Sequence, residues 1–195
     1  MVTMGGLLIG VKHSNPDLLE RVVATLLDAK PRNVALELPE DYLVKRDIEI
    51  TTPFFDELAQ RLEEEGIEVI PLEDPLAYEF HQALNYALGV AKGLISKEEI
   101  KRRIEDVSIF SGYTRPEVLE RKVYAKYIYT MALEILKISS SVQGTRQLEE
   151  VSARHRERYG LRKIINNILR HVVVGDSHAH HMQYNLPNYR YIKIT

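Results

Sequence analysis

Short unbroken apolar runs alternate with longer stretches in which apolar residues recur at helical spacing, and the order of the two predicts an α/β fold. Residues 6–11 (GLLIGV) form a short apolar run with turn residues on both sides, the pattern of a buried strand. Asn15-Pro16-Asp17 supplies a helix start, with Asn15 as N-cap, Pro16 at the first helical position and Asp17 in the first turn. Leu18, Leu19, Val22, Val23, Leu26 and Leu27 then repeat at helical spacing until Pro31-Arg32-Asn33 breaks the run. A second strand is expected at 34–38 (VALEL). Thr52-Pro53 opens a helix through about Glu65, closed by Gly66, and 67–72 reads as a third strand.

The middle of the chain changes character. Residues 74–93, 96–106 and 115–138 read as three helices with no strand between them, and Ser96 and Glu99 form a capping box. A longer helical pattern covers about 145–170, with an interruption expected at Gly160. The chain returns to a buried strand at 172–174 (VVV) and ends on alternating 189–194 (YRYIKI), an expected edge strand. Strands alternating with helices predict a mostly parallel central sheet with crossover helices. The 195 residues suit one domain, with a helical insertion at about 74–140. Residues 39–51 and 175–188 read as loops, where function concentrates.

Composition narrows the classes of function. There is no cysteine, which removes disulfide scaffolds, thiol catalysis and cysteine–zinc sites and fits a reducing cytoplasm. The formal net charge of −2 gives no electrostatic argument for nucleic acid. Charged residues make up 28% of the chain and are mixed in sign, as on solvated helix faces. No basic leader or cleavage site precedes the first apolar run, and no apolar stretch has a membrane span's length of ~18 residues, so a cytoplasmic protein with no membrane partner is expected.

In open parallel α/β sheets, ligands bind beyond the carboxyl ends of the strands. The first strand ends at Gly10-Val11-Lys12-His13, and the second delivers Glu37, with Glu40 and Asp41 just beyond. The third ends at Glu73-Asp74, and the fourth at Gly175-Asp176-Ser177-His178, followed by His180 and His181. Every one of these strands thus brings an ionisable group to one edge. Imidazoles with carboxylates suit a divalent metal such as zinc, manganese or cobalt, or general acid–base work at neutral pH. Gly-x-x-His occurs twice, at Gly10/His13 and Gly175/His178, and a glycine there lets the backbone turn so that the histidine points back over the sheet edge.

Each candidate also has a structural reading. His13 would serve equally as a capping or loop residue, and Glu37, costly to bury alone, would be satisfied by Arg32 or Arg156. His180 and His181 read as exposed loop residues, and His81, His155 and His171 as structural. Tyr113, Tyr124, Tyr127 and Tyr129 read as helix packing.

At these residues the chain resembles the TraB/PrgY/GumN–Tiki family, within the wider erythromycin-esterase/ChaN-like group. The block GVKHSNPDLLERVVATLLDAKPRNVALELPEDY resembles that family's Gly-x-x-His strand end, helix, and strand ending in glutamate. The block RERYGLRKIINNILRHVVVGDSHAHHM resembles its later helix, apolar strand and glycine–histidine turn. His13, Glu37, Arg156, Glu157 and His178 match position by position. The chain departs from the family at Glu73-Asp74, where an Asp-Arg pair is usual, and after Glu37, where Leu38-Pro39-Glu40-Asp41-Tyr42 replaces a cysteine and arginine.

The resemblance implies a metal-dependent hydrolase of the peptidase or esterase class, acting on a small molecule or peptide. His13, Glu37 and His178 are then the metal ligands, with Glu37 a ligand or general base and Arg156 stabilising an oxyanion or orienting a carboxylate. Glu40, Glu73, Asp176 and His180 are possible additions. The alternative is a non-catalytic module that binds metal, haem or peptide in the same pocket. A third reading takes Asp176–His181 as a metallo-β-lactamase-like ligand run, but that motif belongs early in its fold.

Overall fold

In the computed structural model, residues 5–42, 53–109 and 116–195 are described, with side chains for all but 107–109 and 116–122. The expected strand–helix alternation is present. Strand β1 (Gly6–Val11) leads through a 3-10 turn at Pro16–Leu18 into α1 (Leu19–Ala29), and β2 (Asn33–Pro39) follows. Helix α2 (Pro53–Glu64) precedes β3 (Glu68–Glu73). Next come α3 (Pro75–Ala91), α4 (Lys97–Ile109), α5 (Pro116–Ile138) and α6 (Val142–Asn167). The chain closes with β4 (His171–Gly175), α7 (Asp176–Met182), a 3-10 turn at Gln183–Asn185 and β5 (Tyr189–Ile194).

The strands form one five-stranded sheet in the order β3-β2-β4-β1-β5. All four pairings are parallel, so every strand delivers its carboxyl end to the same edge. β5 is an edge strand, as its polar alternation predicts. β3 is the other, which is where Pro71, with no amide hydrogen to donate, can be accommodated.

Side-chain alternation divides the core between two faces. Val34, Leu36 and Leu38 pack with Val22, Leu26, Phe55 and Leu58 from α1 and α2. On the other face Ala35, Leu72, Val172 and Val174 pack with Ile164, Ala179 and Met182 from α6 and α7. β2 is therefore buried on both sides, which explains why its run is apolar on both faces except at Glu37. The β2–β3 register shifts between Leu36 and Pro39, setting Pro39 opposite Glu73. Such an irregularity re-aims a strand end.

Two compact units emerge from the chain. One comprises Met1–Leu43, Ile50–Asp74 and Arg156–Thr195, and the other Val44–Glu49 and Pro75–His155. The helical insertion thus runs past residue 140 to 155, inside α6. Its own core sets Ala83, Leu84 and Ala87 of α3 against Ile128, Ala132 and Ile135 of α5. Tyr86 and Tyr129 meet edge-on at 4.9 Å, and Ser96 Oγ accepts from the Glu99 amide at 3.0 Å, the expected cap. Tyr127 stands 46% exposed and is not packed as expected, while Tyr113 lies outside the described residues.

Local readings differ at three places. The stop of α1 is Lys30, at φ 50°, one residue before the expected break at Pro31. Gly160 does not interrupt α6: an interior glycine costs a helix only about 1 kcal/mol, and the tertiary packing of Leu161 and Ile164 outweighs it. Residues 175–188 are not a loop, since α7 buries Ala179 and Met182, three positions apart, on the sheet. Two apolar residues in seven were too few to show that period. Most of the other expected loop, residues 43–51, lies outside the described residues. Among the described residues, no helix is long and apolar enough to cross a membrane.

Candidate functional site

β2 carries Glu37 on the face shared with α6 and α7, where it is 9% exposed. A carboxylate so buried needs partners. Its Oε2 accepts from the Gly175 amide at 2.5 Å, and its Oε1 accepts from Arg156 Nη2 at 2.8 Å. Arg156, not Arg32, is thus its cation. Arg156 also reaches Glu73 at the end of β3, donating from Nε at 2.7 Å and from Nη2 to the same Oε1. One buried guanidinium therefore holds two carboxylates from adjacent strands.

His178 stands on the first turn of α7. Its Nδ1 lies 2.9 Å from Glu157 Oε1, and its Nε2 lies 3.5 Å from Glu37 Oε1. His181 Nδ1 shares that Glu157 oxygen at 3.0 Å. Glu37, Glu73, Arg156, Glu157 and His178 line one cavity of about 20 Å³, floored by Leu72, Gly160 and Met182. That is close to the space one water needs.

Gly175 makes this convergence possible by its lack of a side chain. Its backbone is ordinary extended chain, φ −54° and ψ 143°, so no special turn is involved. A Cβ there would stand 3.1 Å from Glu37 Oε2 and 3.3 Å from His13 Cδ2. Gly10 plays the same part at β1, where a Cβ would come within 2.8 Å of Ala179 Cβ. The two Gly-x-x-His glycines permit close approach; they do not bend the backbone.

The electrostatics follow from this crowding. Burial opposes the charge on Glu37, yet His178, Arg156 and the Gly175 amide outweigh it and hold its pKa below the usual range. Glu73 is the reverse case: burial dominates, Arg156 only partly offsets it, and Glu37 adds repulsion, so its pKa is pushed up to about 7. Burial would depress His178, but Glu37 and Glu157 prevail and raise it. Glu157 is lowered despite burial, by its hydrogen bonds to His178 and His181.

Other sequence candidates do not line the cavity, although His13 lies near enough to help lower the Glu37 pKa. His13 is exposed beyond β1, its ring 5.7 Å from that of Phe55 and its edge beside Gly175. Glu40 accepts from Tyr159 Oη at 2.6 Å and from Lys163 Nζ at 2.7 Å, which lower its pKa. Asp176 pairs with Lys193 at 2.6 Å and Tyr191 at 2.9 Å on β5. His180 engages Gln183 and lies edge-on to Tyr184. Glu157 is the residue that sequence reasoning left without a role. The signal was its place beside Arg156, on a helix whose positions 156, 159, 160 and 163 form one stripe toward the ends of β2 and β3.

The donor set can be tested against a divalent cation. Both oxygens of Glu37 are engaged, and a cation at Oε1 would share it with a guanidinium at 2.8 Å. Nδ1 of His178 is committed to Glu157, leaving Nε2 as its free donor. Among the described residues no three His, Asp or Glu groups are arranged to hold a metal ion. Zinc sites need three or four such ligands at about 2.0–2.3 Å. As arranged, these groups suit protons and do not fit a resident dication.

No family model and no curated protein matches the chain. Among solved structures, a Bacillus cereus protein is similar at 13% identity with a TM-score of 0.42, over 98% of this chain and 66% of that one. This chain therefore spans about 66% of that protein's length.

Proposed function

We propose that this protein is a hydrolase of the peptidase or esterase class, acting in the cytoplasm on a small-molecule or peptide substrate by acid–base chemistry centred on His178. The observation that carries the reading is an imidazole with both nitrogens facing carboxylates, Nδ1 toward Glu157 at 2.9 Å and Nε2 toward Glu37 at 3.5 Å. A neutral ring would turn its lone pair toward one of those anions, whereas the imidazolium donates to Glu157 and sets its other N–H beside the charge of Glu37. The two carboxylates therefore favour a proton on His178, which suits it to protonate the leaving oxygen or nitrogen of an ester or amide. Arg156 then orients Glu37 and Glu73, since its guanidinium is spent on them. Glu37 acts as the counter-charge of His178.

The resemblance to TraB-like proteins supports the hydrolase class but implies a resident zinc, manganese or cobalt, which the donor geometry does not fit. The test is turnover of p-nitrophenyl esters and peptide p-nitroanilides by untagged protein, with and without EDTA, alongside metal analysis by mass spectrometry. Turnover is expected to survive EDTA and to fall roughly 100- to 10,000-fold in His178→Ala. Turnover that vanishes with EDTA and returns with zinc or manganese would establish the metal-dependent mechanism instead. Stoichiometric metal or haem with no turnover would make the chain a binding module.

A further inference from the structure

An acid at His178 leaves open which group takes the proton from water. We infer that Glu73 is that general base, its Oε2 accepting the proton of a water held in the cavity it shares with His178. The inference rests on the acid–base reading above.

The geometry singles Glu73 out. It is 4% exposed at the end of β3, and Arg156 holds its Oε1 from two nitrogens. Its Oε2 is buried and has no hydrogen-bond partner among the described residues. A buried carboxyl oxygen left unpaired is costly unless a proton or a small polar occupant satisfies it. The cavity walled by Glu73 and His178 has about 20 Å³, the size for such an occupant.

Rival bases are committed elsewhere. Glu37 spends both oxygens on Gly175 and Arg156, Glu157 accepts from two imidazoles, and Glu40 holds Tyr159 and Lys163. His13 packs on Phe55 and is not among the residues lining the cavity.

The charges facing Glu73 come from three elements: Arg156 on α6, Glu37 on β2 and His178 on α7. Burial and Glu37 outweigh the two cations and bring its pKa to about 7, where a base serves well at neutral pH. The step then balances. Glu73 Oε2 takes one proton from water as the water oxygen bonds to the carbonyl carbon. The bond to the leaving oxygen or nitrogen breaks, its electron pair goes with that atom, and His178 supplies the proton. Proton return from Glu73 to His178 through solvent restores the site, for a net addition of one water.

The experiment compares parent, Glu73→Gln and Glu73→Asp on the same chromogenic esters and peptides. It is joined to a pH titration of the full chain carrying 13C-labelled glutamate, with Glu73→Gln identifying the Glu73 carboxyl resonance. Glu73→Gln should lower kcat roughly 100- to 10,000-fold with little change in KM, and Glu73→Asp should keep part of the rate. The acid limb of the parent's kcat/KM profile should track the Glu73 resonance near pH 7. A Glu73→Gln rate within about tenfold of the parent, or a resonance titrating below about pH 5, overturns the base role and leaves the His178 reading standing. If Glu73→Gln does not fold, the match between acid limb and parent resonance, assigned through Glu73→Asp, decides, and a mismatch overturns it. A parent with no turnover removes the hydrolase reading and this role together.

Discussion

Replacing Arg156 by methionine removes the guanidinium that joins β2 to β3 through Glu37 and Glu73. The side chains involved are 6%, 11% and 5% exposed, so solvent cannot replace the lost cation without opening the site. Removing one partner of a buried ion pair costs about 3–5 kcal/mol. The two carboxylates do not double that figure, because Glu73 already titrates near 7 and takes up a proton at small cost. Glu37 keeps the Gly175 amide and His178, which places the expected loss near the lower end, about 3 kcal/mol at pH 8. For a chain of this size that corresponds to a fall in Tm of about 6–12 °C.

The pH dependence has a definite sign. Without Arg156 both carboxyls lose a cation and their folded-state pKa values rise, that of Glu73 further above the unfolded value where burial already holds it, so the variant binds more protons than the parent and its deficit grows as pH rises. In the parent, Glu37 is lowered, and its contribution persists until pH falls through its folded pKa. The deficit of the variant must therefore be larger at pH 8 than at pH 5. Urea unfolding followed by circular dichroism at the two pH values measures it. A loss under about 1 kcal/mol at pH 8, or one equal at both pH values, would refute the ion-pair argument.

Two glycine substitutions test the packing around the cavity. Gly175→Ala places a methyl 3.1 Å from Glu37 Oε2 and 3.3 Å from His13 Cδ2, so ester turnover should fall at least about tenfold while urea unfolding shows a loss of about 1–3 kcal/mol. An unchanged rate would show that Glu37 can move without consequence. Gly160→Ala should instead stabilise by about 0.4–1 kcal/mol, because its Cβ would meet Met182 and Leu72 at ordinary distances of 3.5 and 3.7 Å within a continuous helix. A lower urea midpoint would mean that α6 needs the glycine for close approach.

The sheet was legible because its inner strands are buried on both faces and so read as short apolar runs, unbroken at Val172–Val174 and interrupted at Val34–Leu38 only by Glu37. The strand-end rule then pointed to Glu37, Glu73 and His178 without any knowledge of strand order. What local pattern could not give is pairing across distance. Arg156 and Glu157 are neighbours in sequence but about 100° apart around their helix, and they serve different partners. Arg156 turns to the ends of β2 and β3, whereas Glu157 meets His178 and His181 on α7.

That division also explains why a metal looked attractive from sequence. Two histidines and a glutamate at strand ends match a ligand set by residue type alone, whereas the partners of Glu37 come from distant parts of the chain. Its charge is already answered by Arg156 and Gly175. The cluster then sets Glu37, Glu73 and Glu157 against the Arg156 guanidinium; burial raises the Glu73 pKa, and the neighbouring carboxylates raise that of His178. The Glu73 oxygen that has no hydrogen-bond partner among the described residues is therefore the atom on which the proposed base role turns.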